Sequence, residues 1–156
     1  FRSQWLKDIV KALSIAKLNQ AVVKVMLSRG ESKRGYGFET DIEPTRIIIV
    51  SSVPKQTLKQ CTLTTCQSGY ATNQLLSNIK HCNRLEQILA RADMHSDECI
   101  MLDDNGYVIS VTQGNIFALK SGVLLTPGLD ECGIEGTRRS AVLKIASDLG
   151  LQVNVG

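Results

Sequence analysis

The stretch SNIKHCNRLEQILARA, residues 77–92, is the most informative part of the chain, because it sets a lysine just ahead of an amphipathic helix. Apolar residues recur at helical spacing from residue 83 onward, and we expect them to form the inward face of that helix. They are Leu85, Ile88, Leu89 and Ala92. Desolvation keeps a lysine amine neutral and therefore nucleophilic, so Lys80 is a candidate for covalent chemistry, with His81 as a candidate acid or base. Composition alone favours the plainer alternative that both side chains face solvent.

Downstream of this helix, residues 98–126 predict a meander of short strands. The tripeptides DNG at residues 104–106 and KSG at residues 120–122 are hairpin signals. Glycines bracket a predicted helix over residues 136–149, and residues 151–155 predict a further strand. The residues of that helix that we expect to face inward are Val142, Leu143, Ala146 and Leu149. Its glycine start leaves backbone N–H groups that can cradle a phosphate, although every helix N-terminus shares this property.

Upstream, residues 1–17 predict an amphipathic helix, and the apolar runs at residues 21–28 and 46–52 predict buried strands. Between the strands, RGESKRGYGF at residues 29–38 predicts a loop. Its arginines and lysine suit a clamp for a carboxylate or phosphate, but a solvated hairpin tip explains them equally simply.

Pro54 and Lys55 break the pattern after the second strand, so we place a domain boundary there. We assign residues 1–52 to the remainder of a small N-terminal domain, residues 53–56 to a linker and residues 57–156 to a larger domain that carries Lys80. The mixture of helices and strands predicts an α/β fold with mixed sheets. Because the chain starts at Phe1 and its last strand is short, we expect it to be part of a longer protein, truncated at both ends.

Composition excludes several classes of protein. Apolar residues make up 43% of the 156 residues and charged residues 21%, which excludes a disordered chain. A net charge of +3 and an aromatic content of 4% predict no nucleic-acid partner. No apolar run approaches the roughly 20 residues that span a bilayer, so we predict no membrane partner. Five cysteines without a CxxC pair predict no metal site and no disulfide framework, and they favour a cytoplasmic location.

Four segments, in their order along the chain, resemble the class IV (fold-type IV) pyridoxal-phosphate enzymes, and among them the aminodeoxychorismate lyases. They are SRGESKRGY at residues 28–36, NIKHCNRLEQILAR at residues 78–91, GNIF at residues 114–117 and LLTPGLDECGIEGTRR at residues 124–139. Branched-chain and D-amino-acid aminotransferases share the layout but differ in these stretches. The resemblance implies a two-domain fold whose larger domain is a mixed-sheet pseudo-barrel, pyridoxal 5'-phosphate as cofactor, and a homodimer.

The resemblance also implies roles for individual residues. Lys80 would form the Schiff base with the cofactor and act as acid and base. Arg34 and Tyr36 would meet the substrate carboxylates. The residues that would bind the cofactor are Lys80, Ser110, Asn115, Gly136, Thr137 and Arg138.

Ser110 departs from the family pattern, in which a glutamate at this place keeps the pyridine nitrogen of the cofactor protonated. A serine can donate a hydrogen bond to a neutral nitrogen but cannot hold it charged. The cofactor would then be a weaker electron sink. Transamination depends on that sink more than an elimination that yields an aromatic ring, so we expect Ser110 to disfavour aminotransferase activity more than lyase activity.

The implied reaction is the conversion of 4-amino-4-deoxychorismate to 4-aminobenzoate and pyruvate, a step of folate biosynthesis. Two alternatives stay open. One is a class IV aminotransferase of the branched-chain or D-amino-acid type. The other is a catalytically silent homologue or fragment. Ser110 and the expected truncation are the reasons to consider it.

Overall fold

The computed structural model describes residues 2–55, 60–92 and 94–156, and it divides the chain into two compact units, Phe1–Thr57 and Leu58–Gly156. Residues 56–59, which include the end of the predicted linker and the start of the predicted larger domain, lie outside the described residues, as do Phe1 and Asp93. The fold is mixed α/β, as the sequence predicts.

The first unit consists of a helix and a β-hairpin. Helix α1 spans Arg2–Ala16, β1 spans Ala21–Ser28 and β2 spans Thr45–Ser52. The strands pair antiparallel in continuous register, from Ala21 opposite Ser52 to Ser28 opposite Thr45. Arg46 of β2 donates to the carboxylate of Asp8 in α1 over 3.0 Å.

The prediction that both of these strands are buried is wrong for the unit as described. Val25 is 51% exposed and Ile49 is 46% exposed, although both lie in the apolar runs. Within the described part of this unit only α1 packs against the hairpin, and one helix cannot cover both faces of a two-stranded ribbon.

The second unit contains two sheets. In one of them, the strand order is β3 (Leu63–Thr65), β4 (Glu98–Leu102) and β5 (Val108–Val111). In the other, the order is β6 (Ala118–Lys120), β7 (Val123–Thr126) and β8 (Gln152–Val155). Each sheet joins a parallel pair to an antiparallel pair, which makes both sheets mixed.

Helices α2 (Leu85–Ala92) and α3 (Thr137–Asp148) connect the parallel pairs. Helix α3 ends where the sequence predicts, with Gly150 at a φ of +69°. The N–H of Gly150 donates to the carbonyl of Ser147, and that of Leu151 donates to the carbonyl of Ala146, which together form a Schellman motif. The glycine therefore turns the chain directly into β8.

The core of the second unit gathers apolar side chains from its strands and loops around Met101, which is fully buried. The other members are Tyr70, Ala90, Ile109, Leu129 and Cys132. Among the described helices, none is long and apolar enough to reach across a bilayer.

Two expectations about helix faces are wrong. In α2 the apolar residues Leu85 and Ile88 are 58% and 62% exposed, whereas Gln87 and Ala90 are buried. Arg91, one turn after Gln87 on the same side of α2, binds Glu98 of β4 over 3.1 Å, so this side of the helix contacts the sheet. In α3, Ala146 is buried as expected, but Leu149 is 78% exposed because it is the C-cap residue.

The cysteines also depart from expectation, since the structure joins Cys66 and Cys99 in a disulfide. Parallel pairing of β3 and β4 brings their Cα atoms to 5.5 Å, within the range that a disulfide spans. The 33-residue separation between them carries no such signal in the sequence. Among the described residues, Cys61 and Cys82 are free and exposed, and Cys132 is free and buried.

Candidate active site

Lys80 is exposed and lies at the centre of a three-residue turn just ahead of α2. The backbone N–H of His81 donates to the carbonyl of Ile79 over 2.9 Å, which is the hydrogen bond of a γ-turn. The φ of Lys80 is not positive, so the turn is of the common inverse type. Because Lys80 is exposed, the described residues do not desolvate its amine in the way that the sequence-based argument for covalent chemistry requires. The amine is open to a ligand instead.

Arg84 braces this turn from the start of α2. Its Nη2 donates to the carbonyl of Ile79 over 3.1 Å, and its Nε donates to the carbonyl of His81 over 3.0 Å. These two carbonyls belong to the residues on either side of Lys80. The sequence alone gives no reason to single out Arg84, because its contacts depend on how the turn folds back.

Asn78, two residues before Lys80, ties the same segment to the start of α3. Its N–H donates to the carbonyl of Gly133 over 3.1 Å, and its Oδ1 accepts the N–H of Glu135 over 3.1 Å. Its φ is +62°, a left-handed conformation that asparagine tolerates better than most residues. The sequence pattern does not single out Asn78. Its tolerance of a left-handed conformation is the one sequence property that could have indicated this role.

Asn115 ties the end of the meander to the same turn. Its Nδ2 donates to the carbonyl of Ile134 over 2.9 Å, and its Oδ1 accepts the N–H of Gly136 over 3.2 Å. A Cβ atom at position 136 would collide with that Oδ1, so the contact requires glycine there. Asn78 and Asn115 thus both form hydrogen bonds with residues 133–136, and these bonds fix where α3 begins.

The first turn of α3 presents Thr137 and Arg138, both exposed. The N-cap is Gly136, which has no side chain with which to cap the first backbone N–H groups, so these groups and the positive end of the helix dipole can face an anion. The next residue, Arg139, is 6% exposed and serves a different purpose. Its Nη2 donates to the carbonyl of Pro127 over 2.8 Å, which fastens α3 to the end of β7.

Ser110 lies on β5 and is only 3% exposed. Its hydroxyl oxygen is 3.1 Å from the phenol oxygen of Tyr70 and 2.9 Å from the carbonyl oxygen of Val111. The carbonyl can only accept, so both contacts are satisfied when Ser110 donates to Val111 and Tyr70 donates to Ser110. In that arrangement the hydroxyl of Ser110 keeps no proton for a further acceptor.

A cavity of about 230 Å³ lies between Tyr70 and the Lys80 turn. Ile79, His81 and Arg84 line it on one side and Gly133 on another. A larger cavity, of about 600 Å³, opens between β5 and the second sheet. None of the predicted site residues lines either cavity, although Ile79 and His81, the neighbours of Lys80, line the smaller one.

The structure therefore brings together most of the predicted site. The Lys80 turn, Asn115 and the start of α3 are connected by direct hydrogen bonds, and Ser110 reaches the cavity beneath the turn through Tyr70. Arg34 and Tyr36 lie instead in the first unit, on the exposed loop between β1 and β2. In that loop Arg29 stacks on Phe38, with 3.7 Å from its guanidinium carbon to the ring centroid.

These residues fit pyridoxal phosphate at two points. The exposed amine of Lys80 suits its aldehyde, and the uncapped start of α3, where Gly136 leaves room that a Cβ would fill, suits its phosphate. Ser110, engaged with Tyr70 and Val111, does not supply the charge that a protonated pyridine nitrogen needs.

Two curated proteins match most of this chain. The aminodeoxychorismate lyase of Vibrio harveyi is 32% identical over 146 residues, which cover 89% of this chain and 54% of that protein. A putative branched-chain-amino-acid aminotransferase of Methanocaldococcus jannaschii is 26% identical over 157 residues, which cover 97% of this chain and 54% of that protein. The chain thus spans about half the length of these relatives.

Among solved structures, the crystal structure of 4-amino-4-deoxychorismate lyase from Pseudomonas aeruginosa superposes with a TM-score of 0.87 at 30% identity. The match covers 99% of this chain and 60% of that one. The family model for amino-transferase class IV matches residues 2–156. The chain belongs to the class IV aminotransferase family, with the fold-type IV architecture of its pyridoxal-phosphate enzymes.

Proposed function

We propose that the protein to which this chain belongs is a pyridoxal-phosphate-dependent lyase that converts 4-amino-4-deoxychorismate to 4-aminobenzoate and pyruvate. The observation that carries the proposal is the pair of hydrogen bonds by which Asn78, two residues before Lys80, holds Gly133 and Glu135, because they join the segment that carries the exposed lysine to the residues that lead into α3. The lyases of Vibrio harveyi and Pseudomonas aeruginosa, at 32% and 30% identity, support the choice of reaction.

In this proposal Lys80 holds the cofactor aldehyde, and the N–H groups of Thr137 and Arg138 hold its phosphate. Asn115 keeps the start of α3 in place. The bound cofactor supplies an electron sink that makes the C–H bond beside the substrate nitrogen acidic. With cofactor and substrate bound, the amine of Lys80 would be the base for that C–H bond.

Lys80 then removes the proton from the ring carbon that bears nitrogen. The bond between the ring and the enolpyruvyl oxygen breaks, and Lys80 returns the proton to the departing group. The ring gains its third double bond and becomes aromatic, and the departing group leaves as pyruvate. The reaction needs no oxidant or reductant, since one proton moves and one carbon–oxygen bond breaks.

We further propose that Arg34 and Tyr36 bind the carboxylates of the substrate and that the protein works as a homodimer. Two carboxylates suit an arginine on an exposed loop, because a guanidinium can bind each with two parallel hydrogen bonds. The loop in the first unit presents both side chains to solvent, with Tyr36 fully exposed.

The second candidate is a class IV aminotransferase. The Methanocaldococcus jannaschii relative, which matches 97% of this chain, favours it. The two reactions differ in their co-substrate, because only an aminotransferase needs an amino acceptor. Release of pyruvate from aminodeoxychorismate without any acceptor supports the lyase, and amino transfer without pyruvate release supports the alternative.

The test compares the wild type with Lys80→Ala after addition of pyridoxal phosphate. We expect a Schiff-base absorption band in the wild type that borohydride fixes covalently at Lys80, and no such band in the variant. Absence of the band in both proteins contradicts the proposal and favours a silent homologue or fragment.

A further inference from the structure

We propose that Arg84 is a positioning residue for Lys80: its guanidinium holds the turn that presents the lysine amine, and without it the amine loses its productive orientation. The inference rests on the proposed function, because it concerns the same lysine. It assigns a role to a residue that neither touches the substrate carboxylates nor forms the phosphate cradle.

The first argument is geometric. The carbonyls that accept from Arg84 belong to Ile79 and His81, which directly flank Lys80. A three-residue turn of this kind is closed by one backbone hydrogen bond, here from His81 to Ile79. Because such a turn is short and lies between irregular segments, one bond is a weak restraint, and the two additional bonds from Arg84 fix both of its ends.

The second argument concerns the chemistry of the donor. Arginine presents its N–H groups as a rigid planar fork, so the spacing of the two carbonyls is set by the guanidinium itself. A charged donor also makes a stronger hydrogen bond than a neutral one. Arg84 is half-buried, which protects these bonds from competition by water.

The third argument is the place of Arg84 in the chain. It directly precedes Leu85, the first residue of α2, and its own carbonyl accepts the N–H of Ile88 over 3.0 Å. The backbone of Arg84 therefore belongs to the helix, and its side chain reaches back to the turn. This arrangement couples the direction of the Lys80 side chain to a rigid element.

The experiment separates covalent capture from cofactor binding. Pyridoxal phosphate is added to the wild type, Arg84→Met and Arg84→Lys, and the adduct on Lys80 is fixed with borohydride and quantified by peptide mass spectrometry. In parallel, 4'-deoxypyridoxine 5'-phosphate, which has no aldehyde, measures binding through the phosphate and ring alone. Arg2→Met is the matched control, because Arg2 is an exposed arginine at the far end of the chain.

We expect Arg84→Met to form the Lys80 adduct at least about tenfold more slowly, since a factor of ten corresponds to the loss of a single charge-assisted hydrogen bond. Binding of the deoxy analogue changes less than twofold, which also shows that the variant folds. Arg84→Lys recovers part of the rate, since an ammonium reaches one carbonyl but cannot bridge both. Millimolar guanidinium added to Arg84→Met raises the rate again.

Three outcomes overturn the inference in different ways. If the wild type captures the cofactor and Arg84→Met captures it equally fast, Arg84 has no positioning role and the proposed function stands. If the wild type forms no adduct, the proposed function fails and the inference fails with it. Equal losses of adduct formation and of deoxy-analogue binding also overturn the inference, because they indicate a general structural role.

Discussion

The hydroxyl of Ser110 lies 3.1 Å from the phenol oxygen of Tyr70, inside the core of the second unit. Two hydroxyl groups therefore lie where the family resemblance predicts a carboxylate. Tyr70 also lines the cavity beneath the Lys80 turn, so the pair connects the core to the candidate active site. The neutrality of this pair is the basis of our first prediction.

Replacing Ser110 by glutamate restores an acidic partner for the pyridine nitrogen. We expect Ser110→Glu to raise amino transfer relative to pyruvate release by about tenfold, because a charged ring stabilises a carbanion more strongly. The measurement is the ratio of the two rates on the same preparation, with Ser110→Ala as the control that removes the hydroxyl without adding charge. An equal effect of Ser110→Glu on both reactions would contradict the idea.

Our second prediction concerns the contact between Gly136 and Asn115. Because a methyl group at position 136 displaces the anchored side chain of Asn115, we expect Gly136→Ala to lower the free energy of unfolding by about 1–2 kcal/mol. The backbone at Gly136, with a φ of −73°, suits alanine, so strain in the main chain does not contribute.

A double-mutant cycle tests the cause of that loss. With Asn115→Ala already present, the added methyl meets no obstacle, and the two changes together should cost at least about 1 kcal/mol less than their sum. Urea denaturation of the four proteins gives the numbers. Simple additivity would show that the methyl group clashes with something other than Asn115.

Most of the fold could be predicted from the sequence, whereas only part of the candidate site could. Hydrophobic periodicity located α1, α2 and α3 within a few residues, and apolar runs and turn signals located the strands other than β3. The stretch that contains β3 is polar and only three of its residues form the strand, so it gave no such signal. Lys80, Asn115 and Gly136 stand in segments that resemble the family. Asn78 and Arg84 escaped notice because their roles arise from hydrogen bonds to backbone groups, which leave no pattern in side-chain type.

The orientation of α2 shows a different limit. An amphipathic pattern says which face of a helix is apolar, but not which elements of the fold that face meets. On the polar side of α2, Arg91 pairs with Glu98, and the hydroxyl of Thr112 donates to the same carboxylate over 2.6 Å. Gln87 is buried on this side, whereas the sequence pattern predicts that Leu85 and Ile88 face inward.

Gln87 leads to a third prediction. It is 8% exposed, and within residues 2–55, 60–92 and 94–156 neither polar atom of its side-chain amide has a hydrogen-bond partner. Since an unsatisfied buried amide costs about 1–3 kcal/mol, we expect Gln87→Met, which keeps the length of the side chain, to raise the free energy of unfolding by about 1 kcal/mol. Gln20→Met, at an exposed position, is the control and should change it by less than about 0.5 kcal/mol. A lower stability of Gln87→Met would mean that the amide is bonded in solution.

The fourth prediction concerns Cys132. Burial raises the pKa of its thiol to about 11, and the nearby carboxylates of Asp103, Asp104, Glu131 and Glu86 add to the effect. At pH 8 we therefore expect iodoacetamide to modify the exposed Cys61 and Cys82 quickly and Cys132 only after unfolding, as peptide mass spectrometry can show.

The raised pKa of Cys132 also sets the direction in which the stability of the fold changes with pH. The folded protein holds the thiol proton more tightly than the unfolded chain does, so the associated stability is complete below the ordinary pKa of 9.0 and is lost as the pH rises toward 11. Cys132→Ala should remove this part of the alkaline loss. Rapid modification of Cys132 in the folded protein would contradict the raised pKa. So would an unchanged loss of stability at alkaline pH in Cys132→Ala.

Arg138 and Arg139 are neighbours in the first turn of α3, but their side chains lie in different environments. Arg138 is exposed, whereas Arg139 is buried and donates to Thr126 and Pro127. A dicarbonyl reagent that modifies arginine can thus discriminate between two adjacent side chains in one peptide. Protection of Arg138 by an added phosphate compound would map occupancy of the helix end directly, with Arg139 as a reference inside the same fragment. The rotation of about 100° between consecutive helix residues therefore gives this Arg-Arg pair one side chain that reports on binding and one that serves as its reference.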